Sequence, residues 1–300
     1  MKKIAADIIT FLIRLVGKLP KGFHYAVASC LSWLLNHVFH YRKDVVMTNL
    51  ARSFPDRKYD ELRQISDKFY RHLGDILAEA VMFGACTDYR KLEKRQFCTF
   101  AGREEDNEAL MNPNGTVILT AHCGNWEIIG GIIGYVGKHT PLVEKDTCVV
   151  YKKLSSPVMD IVMKRNRTAP LDDKEFEGVI ESSDVLRYML RHRGERKFYC
   201  FPTDQFPYRN ASRHEVGDFM HQKTMTMTGG AALACKLGMS VVFLKFDKVA
   251  RGRYTMSFEP ICNDASTMSV DEIMNRFYGL LQEEIESRPW NYLWSHKRWK

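Results

Sequence analysis

Short apolar runs that stop at polar, turn-forming residues alternate along this chain with stretches of helical periodicity. That alternation restricts it to one class of fold. Residues 116–120 form a β-branched run directly after the turn signal Asn112-Pro113-Asn114-Gly115. Residues 196–201 form a second strand-like run, which ends at Pro202-Thr203-Asp204-Gln205, and residues 240–246 and 254–258 form two more. Between and around them lie helical segments. Residues 59–84 carry Leu62, Ile65, Phe69, Leu73, Ile76, Leu77 and Ala80 at helical spacing. Residues 128–137 are apolar and Gly-rich, residues 229–237 are small, and residues 269–287 are amphipathic. This order predicts one α/β domain with a central, parallel or mixed sheet flanked by helices. No internal repeat or low-complexity linker divides the 300 residues, which suffice for one large core.

The N-terminus follows a different pattern. On a helix over residues 3–19, Lys3, Asp7, Thr10, Arg14 and Lys18 share a narrow face, opposite Ile4, Ile8, Phe11, Leu12, Leu15 and Leu19. That is the form of a helix lying in a membrane plane, and equally of a helix packed on a core. Residues 22–41 then contain no Asp, Glu, Lys or Arg, between Lys18 and Lys21 on one side and Arg42 and Lys43 on the other. His24, Asn36, His37 and His40 make this stretch a poor transmembrane span, so a shallow, partly inserted helix pair is expected. Asp7 and Arg14 interrupt any signal-peptide core, and the apolar run continues past Cys30, so the segment is expected to stay uncleaved. The expected division is a membrane anchor over residues 1–43 and a catalytic domain over residues 44–300.

Charge and cysteines narrow the setting. The formal net charge is +8 and 12% of residues are aromatic, a combination that suits an anionic partner, either nucleic acid or an anionic membrane. The cations bracket the apolar N-terminal segments, and at the C-terminus Lys297, Arg298 and Lys300 surround Trp299. No nucleic-acid-binding module is recognisable, so the bilayer is the expected partner. The C-terminal cluster also fits a helix end packed on the core. The 8 cysteines include no C-x-x-C pair, and most sit in apolar contexts, as free thiols do in a reducing compartment.

The chemistry-bearing motif follows the 116–120 run: His122-Cys123-Gly124-Asn125-Trp126-Glu127. Sites in open α/β sheets gather at the carboxyl ends of strands. A break at Gly124 would place His122 at the strand end and Glu127 in the first turn of the next helix. Glu127 would then accept a hydrogen bond from one imidazole nitrogen and leave the other as a base. No serine completes a triad, so the nucleophile would be a substrate hydroxyl. The motif is not H-E-x-x-H, and no metal or cofactor is expected. Cys123, in an extended segment, points away from His122.

His122 to Glu127 resembles the H-x4-D/E motif of the lipid A late acyltransferases, the lauroyl/myristoyl acyltransferase family, and the resemblance covers nearly the whole chain. Arg42 to Asn49-Leu50 and Phe54-Pro55 resemble that family's R-x-V-x-x-N-L…F-P segment. Val150-Tyr151-Lys152 followed by Pro157 resembles its V-Y-[RK]…N-P stretch, and Asp204-Gln205 its D-Q pair. Thr226 to Ala234 resembles T-x-x-G-x-A-x-L-A, and Tyr292-Leu293-Trp294…Lys297-Arg298 resembles Y-L-W-x-x-[KR]-R.

The resemblance implies a glycerolipid-acyltransferase-like fold. It implies transfer of a fatty acyl chain from acyl carrier protein or acyl-CoA to a hydroxyl of a glycolipid, at the cytoplasmic face of the inner membrane. His122 would be the base and Glu127 its orienting group. An arginine after the V-Y-K stretch would assist; Arg165 and Arg167 both fit, with Arg167 favoured by its spacing from Asp160. Asp204 would position substrate or arginine, or cap a turn. Asn125, Arg165 and Gln205 are substrate-binding candidates, and backbone N–H groups from Gly124 to Trp126 are oxyanion donors. The acidic stretch 172–184, with Glu175 in it, departs from the family pattern. The F-P-E-G-[TS]-R phosphate motif of glycerol-phosphate acyltransferases is absent. An acyltransferase for another lysolipid or lipoamino acid, and a non-catalytic membrane-binding relative, are the alternatives.

Overall fold

The computed structural model describes residues 1–173, 176–207 and 213–299; Glu175 and Lys300, named above, lie outside these. The chain begins with α1 (Lys2–Val16) and α2 (Lys21–Trp33), the second extended by a π-helical turn over Leu34–Val38. There follow α3 (Lys43–Ser53), α4 (Tyr59–Gly84), α5 (Tyr89–Arg95), β1 (Cys98–Phe100) and β2 (Thr116–Thr120). Next come a short α6 (Ile132–Val136), β3 (Thr147–Tyr151), α7 (Pro157–Arg167), β4 (Val179–Glu181), α8 (Val185–Arg191) and β5 (Phe198–Pro202). The hairpin β6 (Arg213–Phe219) and β7 (Gln222–Met227), α9 (Gly229–Leu237), β8 (Ser240–Ala250), β9 (Arg253–Cys262) and α10 (Val270–Ser287) complete the chain.

Seven strands form one sheet in the order β1-β9-β8-β2-β5-β3-β4, with every pair parallel except β8 with β9. The sheet is therefore mixed, and helices cover both of its faces. Alternate side chains of β2 enter different cores. Val117 and Leu119 join Tyr199, Phe243 and Phe277 on one side, and Ile118 joins Ile128, Phe198 and Phe246 on the other. Burial on both faces explains why β2 reads as an unbroken apolar run rather than an alternating one.

Local sequence accounts for the helix boundaries. Ser156 and Pro157 open α7, with the Ser156 hydroxyl accepting from the Met159 N–H. Ser269 and Glu272 form a reciprocal capping box at α10, and Gly238 closes α9 in the left-handed conformation. The helix expected over residues 128–137 is instead a 3₁₀ turn over Trp126–Gly131 followed by α6. Glycines at 130, 131 and 134 weaken a regular helix there.

In α4, Leu62, Ile65, Phe69 and Ile76 are buried as its periodicity requires, whereas Leu77 is exposed. In α1, the equivalent stripe of Ile4, Ile8, Phe11, Leu12 and Leu15 is exposed. Both N-terminal helices are tied to the domain: Asp7 pairs with Arg165 of α7 at 2.7 Å, and the Tyr25 hydroxyl reaches Glu79 of α4 at 3.3 Å. Among the described residues, no helix is long and apolar enough to cross a membrane.

The C-terminal aromatic cluster resolves toward core packing. Tyr292 and Trp294 are buried, and Arg298 is buried beneath them with its Nη2 on the Tyr278 hydroxyl at 2.8 Å. Trp299 donates its indole N–H to Thr224 at 2.9 Å. These side chains fill space beside α10, where a lipid anchor would leave them on the surface.

Candidate active site

Strand register brings the first two functional side chains together. In the parallel pair β2–β5, Thr120 lies opposite Pro202, so the residues two places further on, His122 and Asp204, emerge side by side at the carboxyl ends. The ladder continues beyond the strands, because the Thr203 N–H donates to the Thr120 carbonyl at 3.0 Å. The His122 Nδ1–H donates to Asp204 Oδ1 at 2.7 Å. The Gln205 amide donates to His122 Nε2 at 3.1 Å, which marks that nitrogen as the one carrying the lone pair. The Trp126 ring stands edge-on to the imidazole with centroids 5.3 Å apart.

The electrostatics follow from this geometry. Burial alone would push the His122 pKa down, but the Asp204 carboxylate and its hydrogen bond, with the Glu127 charge nearby, raise it above 6.5. Burial would raise Asp204 in turn, yet the imidazole, the His122 backbone N–H and the Arg298 guanidinium hold it below 3.8.

Glu127 does not orient His122, contrary to the expectation from the motif. Its carboxylate instead accepts two hydrogen bonds from Arg167, Nε to Oε2 at 3.0 Å and Nη2 to Oε1 at 2.9 Å. The reason is the backbone between them. Gly124 takes a φ of +60°, where an added Cβ would meet the Phe246 carbonyl oxygen, and the chain turns there into a 3₁₀ helix capped by Asn125. Glu127 then faces the C-terminal end of α7. The approach requires Gly130, whose Cα packs against the Arg167 carbonyl with no room for a side chain.

The other expected residues divide. Gln205 and Arg167 line the cavity described below. Arg165 points away from it, to Asp7 of α1. Asn125 is fully buried and outside the cavity lining; its amide donates to Glu79 at 2.8 Å and its oxygen accepts from the Glu127 N–H, so it fixes the loop. Of the expected oxyanion donors, the Gly124 N–H is bonded to the Asn291 carbonyl. Cys123 is buried and its thiol pKa is pushed well above 9, which removes it as a nucleophile.

A polar layer beneath the loop was not anticipated from the sequence. His72 donates from Nε2 to the Gly124 carbonyl at 2.9 Å and accepts from Lys248 at 3.2 Å, and Lys248 also reaches Asp75 at 2.8 Å. Glu79 accepts from Tyr254 at 2.6 Å as well as from Asn125. Burial and the Lys248 charge hold His72 well below 6.5. The signal was present: His72, Asp75 and Glu79 recur at helical spacing beside the buried apolar stripe of α4.

His122, Trp126, Arg167 and Gln205 open onto a cavity of about 400 Å³. Its walls are largely apolar, including Ile129, Ile133, Val149, Met163, Leu171 and Phe176, and Lys152, Lys153 and Lys164 also line it. A base, a cation and an apolar cavity thus converge at the point where the sheet order reverses around β2. A family model for the bacterial lipid A biosynthesis acyltransferases matches residues 3–300. No curated protein matches the chain.

Proposed function

The chain belongs to the bacterial lipid A biosynthesis acyltransferases, and from that premise we propose that His122, oriented by Asp204, activates a hydroxyl of a lipid A precursor. The donor is a fatty acyl thioester of acyl carrier protein or of coenzyme A. The Nδ1–H bond to Asp204 leaves Nε2 as the base, where the Gln205 amide gives way to the acceptor hydroxyl. As His122 takes that proton, the hydroxyl oxygen attacks the thioester carbon. Negative charge develops on the carbonyl oxygen. Arg167, which lines the cavity and is clamped by Glu127, supplies the cation for it. Collapse breaks the C–S bond. The imidazolium returns its proton to the thiolate, which leaves an ester and a free carrier thiol.

The single observation that carries this reading is the 2.7 Å His122–Asp204 pair beside a largely apolar cavity that His122 lines. The cavity suits an acyl tail, and the lysines along it suit the phosphate of a carrier or glycolipid. The membrane setting rests on α1 and on α2, which presents Phe23, Val27 and Trp33 to solvent. Residues 1–43 serve in this reading as an anchor lying in the cytoplasmic face of the inner membrane, with anionic lipid as their partner.

The test is acyl transfer by the purified enzyme from acyl carrier protein donors to a Kdo-lipid A precursor, with the ester product identified by mass spectrometry. His122→Ala is expected to reduce kcat by about 10³-fold or more. Activity that survives this substitution in folded protein would overturn the mechanism.

A further inference from the structure

Two of the sequence segments noted above have no part in the chemistry just described: the one around Arg42 and Asn49, and the one from Tyr292 to Arg298. The fold joins them to each other and to the catalytic loop. The Leu293 N–H donates to the carbonyl of His122 itself at 3.1 Å. The Gly124 N–H donates to the Asn291 carbonyl at 3.1 Å, and Cys123 and Tyr292 form an antiparallel bridge between these bonds. The C-terminal segment is therefore paired, backbone to backbone, with residues 122–124.

That segment is held from its other side by α3. Buried Asn49 gives both amide hydrogens to it, to the Trp294 carbonyl at 2.8 Å and the His296 carbonyl at 2.9 Å. Arg42 donates to the Ser295 carbonyl at 3.0 Å. Further along the segment, Arg298 is buried with Nε and Nη1 unpartnered, and its charge favours the ionised form of Asp204. Both members of the His122–Asp204 pair thus lean on the same segment, one through its backbone and one through charge.

We propose that Asn49, through the C-terminal segment it clamps, is a positioning residue that sets where the His122 imidazole stands relative to Asp204. Asn49 touches neither substrate nor reacting atoms. Its amide bonds two carbonyls of the segment at once, those of Trp294 and His296, and so fixes the height of Leu293 under the His122 carbonyl. A shift of about 1 Å at a reacting group costs on the order of 10²-fold in rate. The catalytic consequence rests on the function proposed above; the effect on His122 does not.

The experiment uses the full-length protein with Asn49→Asp, Asn49→Ala and Arg42→Ala, and Lys297→Ala as an exposed control. Asn49→Asp keeps the shape and removes both donors. The His122 imidazole is titrated by NMR in each, without substrate. Its protonation is also governed by the charges of Asp204, Glu127 and Arg167 around it and by Arg298 behind Asp204. The expected result is a downward displacement of the His122 titration in both Asn49 variants, because the hydrogen bond that favours the charged imidazole is weakened. kcat should fall about 10- to 100-fold while KM stays within about threefold. Arg42→Ala should move both quantities the same way by less, and it provides the measurement if the Asn49 variants do not fold. Lys297→Ala should leave both unchanged. A His122 titration and kcat equal to wild type in folded Asn49→Asp, or in Arg42→Ala where the Asn49 variants do not fold, overturn the proposal. If wild-type protein transfers no acyl group while the titration still shifts, the functional reading fails and the positioning role stands.

Discussion

Two ion pairs border the cavity, and they are built differently. The Asp204 side chain of the His122–Asp204 pair is 2% exposed and the pair has one bond between its side chains, while the Arg167 side chain of the Arg167–Glu127 pair is 38% exposed and makes two. The first pair leaves the lone pair on Nε2, where the Gln205 amide donates, and its buried carboxylate holds the imidazole. The second pair is a clamp: a bidentate carboxylate fixes the plane of a guanidinium that stays open to the cavity. Each pair joins two elements, β2 with β5 in one case and the loop after β2 with α7 in the other. A base needs one partner on its remote nitrogen; an electrostatic donor needs a rigid mount and an open side.

Asp204→Asn offers the sharpest break of that comparison. It keeps the size of the side chain and removes the charge that opposes burial, so kcat should fall by about 10³-fold. Its pH profile separates it from a folding defect. His122 must be neutral to act, and its pKa is raised, so the acid limb of wild-type kcat/KM should lie above pH 6.5. Without the Asp204 charge the limb should move down, because the remaining influence of burial lowers the imidazole pKa. A limb that stays in place would show that Asp204 does not control His122.

Arg167→Ala should cost about 10²-fold in kcat with an unmoved acid limb, since it removes charge stabilisation and leaves the base oriented. A matching shift of the limb would mean that the two pairs act as one unit. Arg165→Ala, two residues away on the same helix, should change kcat by less than about threefold, because its partner is Asp7 at a largely solvated site. A larger loss in soluble-substrate assays would place α1 in the catalytic machinery.

Much of the fold was legible because apolar spacing repeats. α4, α9, β2 and the start of β8 fall where periodicity and β-branched runs place them. The β6–β7 hairpin was not legible, since its turn is Met220-His221, both at positive φ without the usual Gly or Asn. His122, Gln205 and Arg167, grouped from the sequence, line one cavity, but the carboxylate on the imidazole is Asp204 and not Glu127. Glu127 is near His122 in sequence, and Asp204 is near it only once β2 and β5 pair in register. The signal lies in the strand ends, for both residues follow their strands by two positions.

α1 and α4 differ in a way that no sequence pattern contains. Both carry an apolar stripe at helical spacing, and that period by itself determines that each is an amphipathic helix. It does not say what covers the stripe: neighbouring helices, α2 and α3 among them, pack on α4 and its stripe is buried, while that of α1 remains open. The sequence by itself likewise determined an α/β chain with a histidine at a strand end and a family to which that histidine belongs. Only the tertiary structure decided which carboxylate holds it, that Glu127 clamps Arg167, and that the C-terminal segment lies against the catalytic loop. Local spacing encodes the period of an element, while hydrogen bonds between distant residues depend on register and packing that no local pattern contains.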